Sequence, residues 1–182
     1  MQNLAQPSDK NNAVVSWFGD AFSQLHSDLQ VLHCGGGILA GKSRLRFGKG
    51  LAKFIGKRLG QKLGIPLQPG EHDLRVEIRH QENSLYWSGC FDQQKTVLSI
   101  FQALGNYPFG YWLEKTGPVE LKLAVDIVDS GWHLRVLNVR IFGLPMPLLL
   151  FPPSKAYKNN CRSVLPIPCQ LFNTMDWTVI LL

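Results

Sequence analysis

The sequence has few of the features that mark a secreted, metal-binding or membrane-spanning protein. Its four cysteines form no C-x-x-C pair, so neither a redox motif nor a structural zinc site is indicated. The longest apolar run, residues 144–151, is interrupted by two prolines and falls well short of the roughly 18 residues of a membrane span. No signal peptide opens the chain, and these absences together predict a cytoplasmic protein with free thiols.

Acidic residues are missing from one segment, residues 42–62. This segment holds eight of the 19 basic residues and none of the 13 acidic ones, so the net charge of +6 is a local feature. Such a segment favours an anionic membrane surface as partner, whereas nucleic acid is disfavoured because only Phe47 and Phe54 could stack on bases there. The basic-patch candidates are Lys42, Arg44, Arg46, Lys49, Lys53, Lys57 and Arg58.

Hydrophobic periodicity predicts an α+β fold. A helical period is typical of residues 13–22, 24–32 and 51–63, and a period of two begins near residue 73. The later runs indicate a hairpin over 73–91, followed by strands over 95–104, 119–127 and 132–141. We therefore expect a curved, mostly antiparallel sheet, a meander or partial barrel, with two or three N-terminal helices packed on it. The expected organisation is a disordered tail over 1–12, one domain over 13–160, and an atypical C-terminal segment over 161–182, truncated or poorly ordered.

The predicted helix over residues 51–63 is amphipathic and basic. Gly56, Gly60 and Gly64 repeat every fourth residue, which leaves a bare stripe where another element can approach closely. Lys49, Lys53 and Lys57 are predicted to lie on the solvent side, whereas Arg58 and Lys62 fall within the apolar arc and would have to extend their charged ends to solvent. The segment Lys49–Lys62 is an alternative functional site as a peripheral membrane or partner-docking module. The apolar arc on the opposite side, predicted to face the core, comprises Leu51, Phe54, Ile55, Leu59 and Leu63.

Residues Gly36–Ser43 match the phosphate-loop pattern G-x-x-x-x-G-K-[ST], which makes a nucleotide-binding enzyme another alternative. In such a loop Lys42 would reach the outer phosphate and Ser43 would bind magnesium. A phosphate loop must open a helix at the Lys-Ser step. The alternation over residues 44–47 and the glycines that follow instead favour a Gly-rich turn that leads into a strand.

No catalytic constellation is indicated, and no cofactor or metal is predicted. The five histidines lack metal-ligand spacing, and no base or cationic pocket is indicated for Cys90. A non-enzymatic binding or accessory domain is therefore favoured, with an apolar pocket for a small lipophilic or anionic ligand. Glu114 is predicted to lie in a loop beside an aromatic cluster. The pocket candidates are Trp87, Tyr107, Tyr111, Trp112 and Glu114.

Five short segments occur in the order seen in one bacterial family. They are Leu63-Gly64-Ile65-Pro66, Trp87 with Phe91, Glu114-Lys115-Thr116-Gly117-Pro118, Gly143-Leu144-Pro145-Met146-Pro147, and Pro152. Over residues 20–160 the chain resembles the bacterial domain of unknown function 4166. The resemblance implies an accessory or ligand-binding role, with a dehydrogenase-like protein as a possible partner. Two departures are Ser88-Gly89-Cys90, where the family often has Arg, and a C-terminal segment without the family's two final strands.

Overall fold

The computed structural model describes residues 12–47, 50–81, 83–148, 155–158 and 177–181, which fold around one curled sheet. The helices are α1 (Ala13–Phe18), a 3-10 turn (Gly19–Gln24), α2 (Ser27–Gly35) and α3 (Gly50–Leu63). The strands are β1 (Gly37–Phe47), β2 (Gly70–Gln81), β3 (Ser84–Phe91), β4 (Lys95–Leu104), β5 (Tyr111–Thr116), β6 (Val119–Val128), β7 (Gly131–Ile141), β8 (Leu144–Met146), β9 (Lys155–Lys158) and β10 (Trp177–Leu181).

The sheet is an antiparallel meander that curls into a half-barrel. Strands β1 to β8 pair in chain order, β9 adds to β7, and β10 pairs with β1 in the one parallel pairing among the described strands. The predicted α+β class with a curved, mostly antiparallel sheet is therefore confirmed. The predicted loop around Glu114 is wrong, because β5 pairs with both β4 and β6. The inward-facing positions of β5 are Trp112, Glu114 and Thr116, so polar residues interrupt the apolar alternation by which a half-buried strand is recognised.

One face of the sheet, which we call the concave face, packs against α1 and α2. The core joins Trp17 and Phe18 of α1 to inward strand residues such as Val76, Phe101 and Leu123. The first helix is anchored by its N-cap: Asn12 Oδ1 accepts from Val14 N at 2.9 Å, while Asn12 Nδ2 donates to the His33 carbonyl at 2.6 Å. One polar side chain thus fixes the start of α1 against the end of α2.

The two ends of the half-barrel are occupied by different helices. At the α1–α2 end, Tyr107 N donates to the Trp17 carbonyl at 2.9 Å, and His26 N donates to the Ser130 carbonyl at 2.8 Å. These bonds tie the helices to the β4–β5 and β6–β7 turns. At the opposite end, which we call the α3 end, Lys62 Nζ lies 4.6 Å from the centre of the Phe142 ring in the β7–β8 turn.

The orientation of α3 differs from the predicted one. Gly56 and Gly60 are buried, whereas Phe54, placed on the core-facing arc by its spacing, is exposed and lies under the Arg58 guanidinium at 5.0 Å. Glycines permit a close approach that a phenyl ring would block, so the predicted bare stripe is the side on which the helix is buried. Beyond the helix, Ile65 packs against the core.

The C-terminal segment and the tail are described only in part. Residues 1–11 of the predicted tail and 159–176 lie outside the described residues. Residues 177–181 form β10, whose pairing runs from Ser43↔Trp177 to Phe47↔Leu181. Within the described ranges, no helix has the length and apolarity needed to traverse a bilayer.

Candidate ligand-binding site

A polar cluster interrupts the apolar concave face where β4 and β5 pair. Trp112, Glu114 and Thr116 alternate along β5 with the exposed Leu113 and Lys115, so the first three share the concave face. The pairing register sets Glu114 opposite Phe101 and Thr116 opposite Ser99 on β4. On the other flank, β6 sets Leu121 opposite Glu114. A carboxyl group is therefore held between an aromatic and an aliphatic side chain.

The two hydroxyl groups beside Glu114 form a directed chain of hydrogen bonds. Thr116 Oγ1 donates to Glu114 Oε1 at 3.0 Å. Ser99 Oγ and Thr116 Oγ1 are 2.5 Å apart. Because the Thr116 proton is already used on the carboxyl, Ser99 is the donor in the second bond. Both hydroxyls thus support a negative charge, or a carbonyl-type acceptor, at Glu114.

The protonation equilibrium of Glu114 is displaced from that of an exposed glutamate. Burial raises the pKa of its carboxyl, and the hydroxyl groups of Thr116 and Ser99 oppose this effect without cancelling it. No Lys, Arg or His of the described chain lies within 4 Å of the carboxylate. The group can therefore act as a neutral hydrogen-bond donor, or as an anion that a bound cation would stabilise.

A pair of aromatic rings, those of Trp87 and Phe101, lies on β3 and β4 beside this carboxyl. The Trp87 and Phe101 rings have centroids 4.9 Å apart, and Trp87 is paired in register with Ser99. Trp87 is partly buried, whereas Phe101 is buried. Of the predicted pocket candidates, Trp87 and Glu114 are thus brought to the same face with Phe101 between them.

Trp112 and Tyr107 serve the core at the α1–α2 end. Trp112 is 1% exposed and packs edge-on against Trp17 at 5.6 Å between centroids. Tyr107 lies against Trp17 at 5.7 Å and Phe18 at 5.3 Å. The indole Nε1 of Trp112, two positions before Glu114 on the same face, has no hydrogen-bond acceptor among the described residues. Trp112 therefore borders the polar cluster from the side of the core.

Tyr111 lies on the opposite, convex face of the sheet. Lys122 Nζ sits 3.8 Å from the centre of its ring, a cation–π contact made outside the concave face. The alternation of β5 requires this placement, since residues 111 and 112 of a strand must point to opposite faces. Tyr111 is consequently separated from Glu114 by the sheet itself.

The basic-patch candidates separate into two groups. Lys42, Arg44 and Arg46 are exposed on β1; Lys42 Nζ is 2.6 Å from Asp73 Oδ1, and Arg44 is paired in register with Glu71. The hydrogen bond from Lys42 to Asp73 and the charge of that carboxylate raise the pKa of Lys42. On α3, Lys53, Lys57, Arg58 and Lys62 form no ion pair with another described residue, and Lys49 lies outside the described residues.

The segment Gly36–Ser43 is not a loop. From Gly37 onward it belongs to β1, and every residue from Gly37 to Ser43 is paired antiparallel with β2. The favoured interpretation, a Gly-rich turn that leads into a strand, is wrong for residues 37–43, because they already belong to that strand; no helix begins at Lys42, as predicted. The helix start and convergent backbone N–H groups that a nucleotide would need are absent from this segment.

Ser99 and Thr116 were missed by the sequence reasoning. Ser99 lies between Val97 and Phe101 at an inward position of β4, so the alternation of this strand already indicates that Ser99 faces the core. A small polar residue at an inward strand position predicts a buried hydrogen bond, once the neighbouring strand is known. Because β5 was assigned to a loop, no partner for Ser99 could be named.

Comparison of the chain with protein-family models, with curated proteins and with solved structures gives no match. The resemblance to the domain of unknown function 4166 therefore stays a prediction.

Proposed function

We propose that the protein binds a small, largely apolar ligand on the concave face, with the polar end of the ligand at Glu114. The observation that carries this proposal is a carboxyl group between Phe101 and Leu121, supported by the hydroxyls of Thr116 and Ser99 and with no described Lys, Arg or His nitrogen within 4 Å. Burying such a group without a cationic partner destabilises a fold, and titratable groups perturbed in this way cluster at functional sites. The proposal includes a non-enzymatic role and a cytoplasmic location, which cell fractionation would test.

The chemistry of Glu114 selects among ligands. Burial favours its protonated form, which can donate to an alcohol, ether or carbonyl oxygen. Ionised, it would pair with an ammonium group. An anionic headgroup at this position would meet either a neutral acid or a second negative charge, so the carboxyl disfavours anions. Of the lipophilic and anionic ligands expected from the sequence, the lipophilic class gains support.

The test uses displacement of N-phenyl-1-naphthylamine, an uncharged apolar fluorophore, by decanol, decylamine and decanoate. We expect the wild-type protein to enhance the fluorescence of the probe, and decanol and decylamine to displace it at lower concentration than decanoate. Native mass spectrometry of freshly purified protein would show whether an apolar compound copurifies. Absence of probe binding, or equal displacement by the three competitors, would contradict the proposal.

Two variants test whether the ligand binds beside Glu114. Glu114→Gln keeps the size of the side chain but removes its ionisation, so we expect it to bind decylamine more weakly and decanoate no more weakly than before. The matched control is Tyr111→Phe, an aromatic predicted for the pocket but placed on the convex face. If Tyr111→Phe alters displacement as much as Glu114→Gln does, the ligand lies elsewhere.

A further inference from the structure

The α3 end carries large apolar side chains in contact with solvent. Phe54 on α3 is 56% exposed, Phe142 in the β7–β8 turn is 61% exposed, and Leu144 at the start of β8 is 68% exposed. The contact between Lys62 and Phe142 shows that the helix and the turn are neighbours. Single exposed apolar residues are ordinary, but three of this size at one end of a molecule indicate an interaction surface.

Cations accompany these apolar groups. The Arg58 guanidinium lies 5.0 Å from the centre of the Phe54 ring, and Lys62 Nζ lies 4.6 Å from that of Phe142. Lys53 is exposed beside Phe54. None of these cations pairs with a described carboxylate. Positive charge in this region is therefore available to an external anion.

We propose that the α3 end docks on an anionic lipid bilayer. Phenyl and leucyl side chains would enter the headgroup–acyl boundary, while the lysines and the arginine beside them would remain at the level of the lipid phosphates. One face of α3 carries Phe54, Arg58 and Lys62 at four-residue spacing, and this combination of an aromatic ring with two cations suits a planar anionic surface. Exposed leucine offers nothing to a nucleic acid backbone, which favours the bilayer. The proposal does not depend on the ligand of the concave face.

The test is vesicle sedimentation with the full chain. We expect pelleting with phosphatidylcholine vesicles that contain phosphatidylserine, little pelleting with phosphatidylcholine alone, and loss of binding as salt is raised. Neutralising Lys53 or Arg58 to Gln should lower the partition constant by about fivefold each. Truncating Phe54 or Phe142 to Ala should lower it by about tenfold.

Matched controls lie at the α1–α2 end. Phe109 is 95% exposed in the β4–β5 turn, and Arg79 is exposed near the β2–β3 turn. Phe109→Ala and Arg79→Gln remove a phenyl ring and a cation from the α1–α2 end instead of the α3 end, so they should leave vesicle binding unchanged. The far-ultraviolet circular dichroism of each variant checks its fold; all four test positions are exposed, so their removal should preserve it.

Three outcomes would overturn the proposal. Equal pelleting with neutral and anionic vesicles would remove the role of charge, and equal losses from Phe109→Ala and Phe54→Ala would remove the role of the α3 end. Absence of pelleting, with retained binding to duplex DNA or an acidic protein, would assign the patch to another partner. Glu114→Gln should pellet like the wild type, so failure of the concave site is distinguishable from failure of the docking surface.

Discussion

Replacing Glu114 with Gln should make the protein more stable at neutral pH. The carboxyl of Glu114 has a raised pKa because it is buried, while an unfolded glutamate titrates near about pH 4.3. Between these two values the folded state binds more protons than the unfolded state, so the free energy of unfolding of the wild type falls as pH rises. Above the folded pKa the loss is complete and constant. Glutamine does not titrate, so the free energy of unfolding of the Glu114→Gln variant does not fall in this way.

The size of the effect follows from linkage. Each unit by which folding raises a pKa removes about 1.4 kcal/mol of stability at pH values above both pKa values. The Thr116 hydroxyl can still donate to the amide oxygen of the introduced glutamine, so the substitution loses little hydrogen bonding. Burying a polar group without full compensation costs about 1–3 kcal/mol, so we expect Glu114→Gln to exceed the wild type by an amount of this order near pH 7.5 and to lose this advantage as pH falls toward 4.

The assay is urea denaturation followed by tryptophan fluorescence at several pH values. Glu120→Gln is the matched control, since Glu120 lies at the sheet surface, 3.9 Å from Lys115 Nζ, and its replacement should give a small difference that barely changes with pH. If the stability difference between Glu114→Gln and the wild type is the same near pH 4 and pH 7.5, then burial does not hold the proton on Glu114.

Three further perturbations test other parts of the structure. Trp112→Ala should lower the free energy of unfolding by about 3–5 kcal/mol in urea titrations, because Trp112 fills the core between α1 and the sheet. His72→Gln should lower the free energy of unfolding by at most about 1 kcal/mol. This loss should be complete below about pH 6.5 and should shrink as pH rises through the raised pKa of His72. Burial lowers that pKa, but the hydrogen bonds to Asp92 and to the Gln68 carbonyl raise it by more. Gly36→Ala should lower the melting temperature, since Gly36 has a φ of +74° and an added Cβ would lie 2.5 Å from the Ile78 carbonyl oxygen.

The meander could be predicted because its strands carry their own signal. The run Leu74, Val76, Ile78 alternates with charged residues, and the buried side chains of β2 are the ones that this alternation selects. The turn at Asp129–Ser130 was predictable in the same way, and both residues adopt positive φ values. Local periodicity and turn chemistry thus suffice where each strand keeps one face apolar.

The orientation of α3 could not be predicted by the same reasoning. Helical spacing places Phe54 with Leu59 and Leu63 on one arc. It does not indicate how closely the helix backbone packs against its neighbours. Two buried glycines bring the backbone close to its neighbours and turn Phe54 outward. The apolar arc of a helix therefore predicts its buried side only where the opposite side does not carry smaller residues, such as glycine, that allow closer packing.

The candidate site depended on pairing between strands, which a single sequence does not display. Glu114 and Trp87 were identified as pocket residues from composition, but their shared face follows from the register of β3, β4 and β5. The alternation along β5 separates Tyr111 from Glu114, because residues three apart in a strand point to opposite faces. A one-residue shift of β5 would exchange these roles, so register decides which aromatics can meet the carboxyl.

The position of the polar cluster along β5 connects the two proposed surfaces. Thr116 ends the strand, and the next residue, Gly117, lies so close to Leu63 of α3 that an added Cβ would be 3.0 Å from its Cδ2. The carboxyl of Glu114 is therefore nearer the α3 end than the aromatic core formed by Trp17, Trp112 and Trp132. If both proposals hold, an apolar ligand that left a bilayer at the α3 end would reach the level of Glu114 on β5 before that of Trp112.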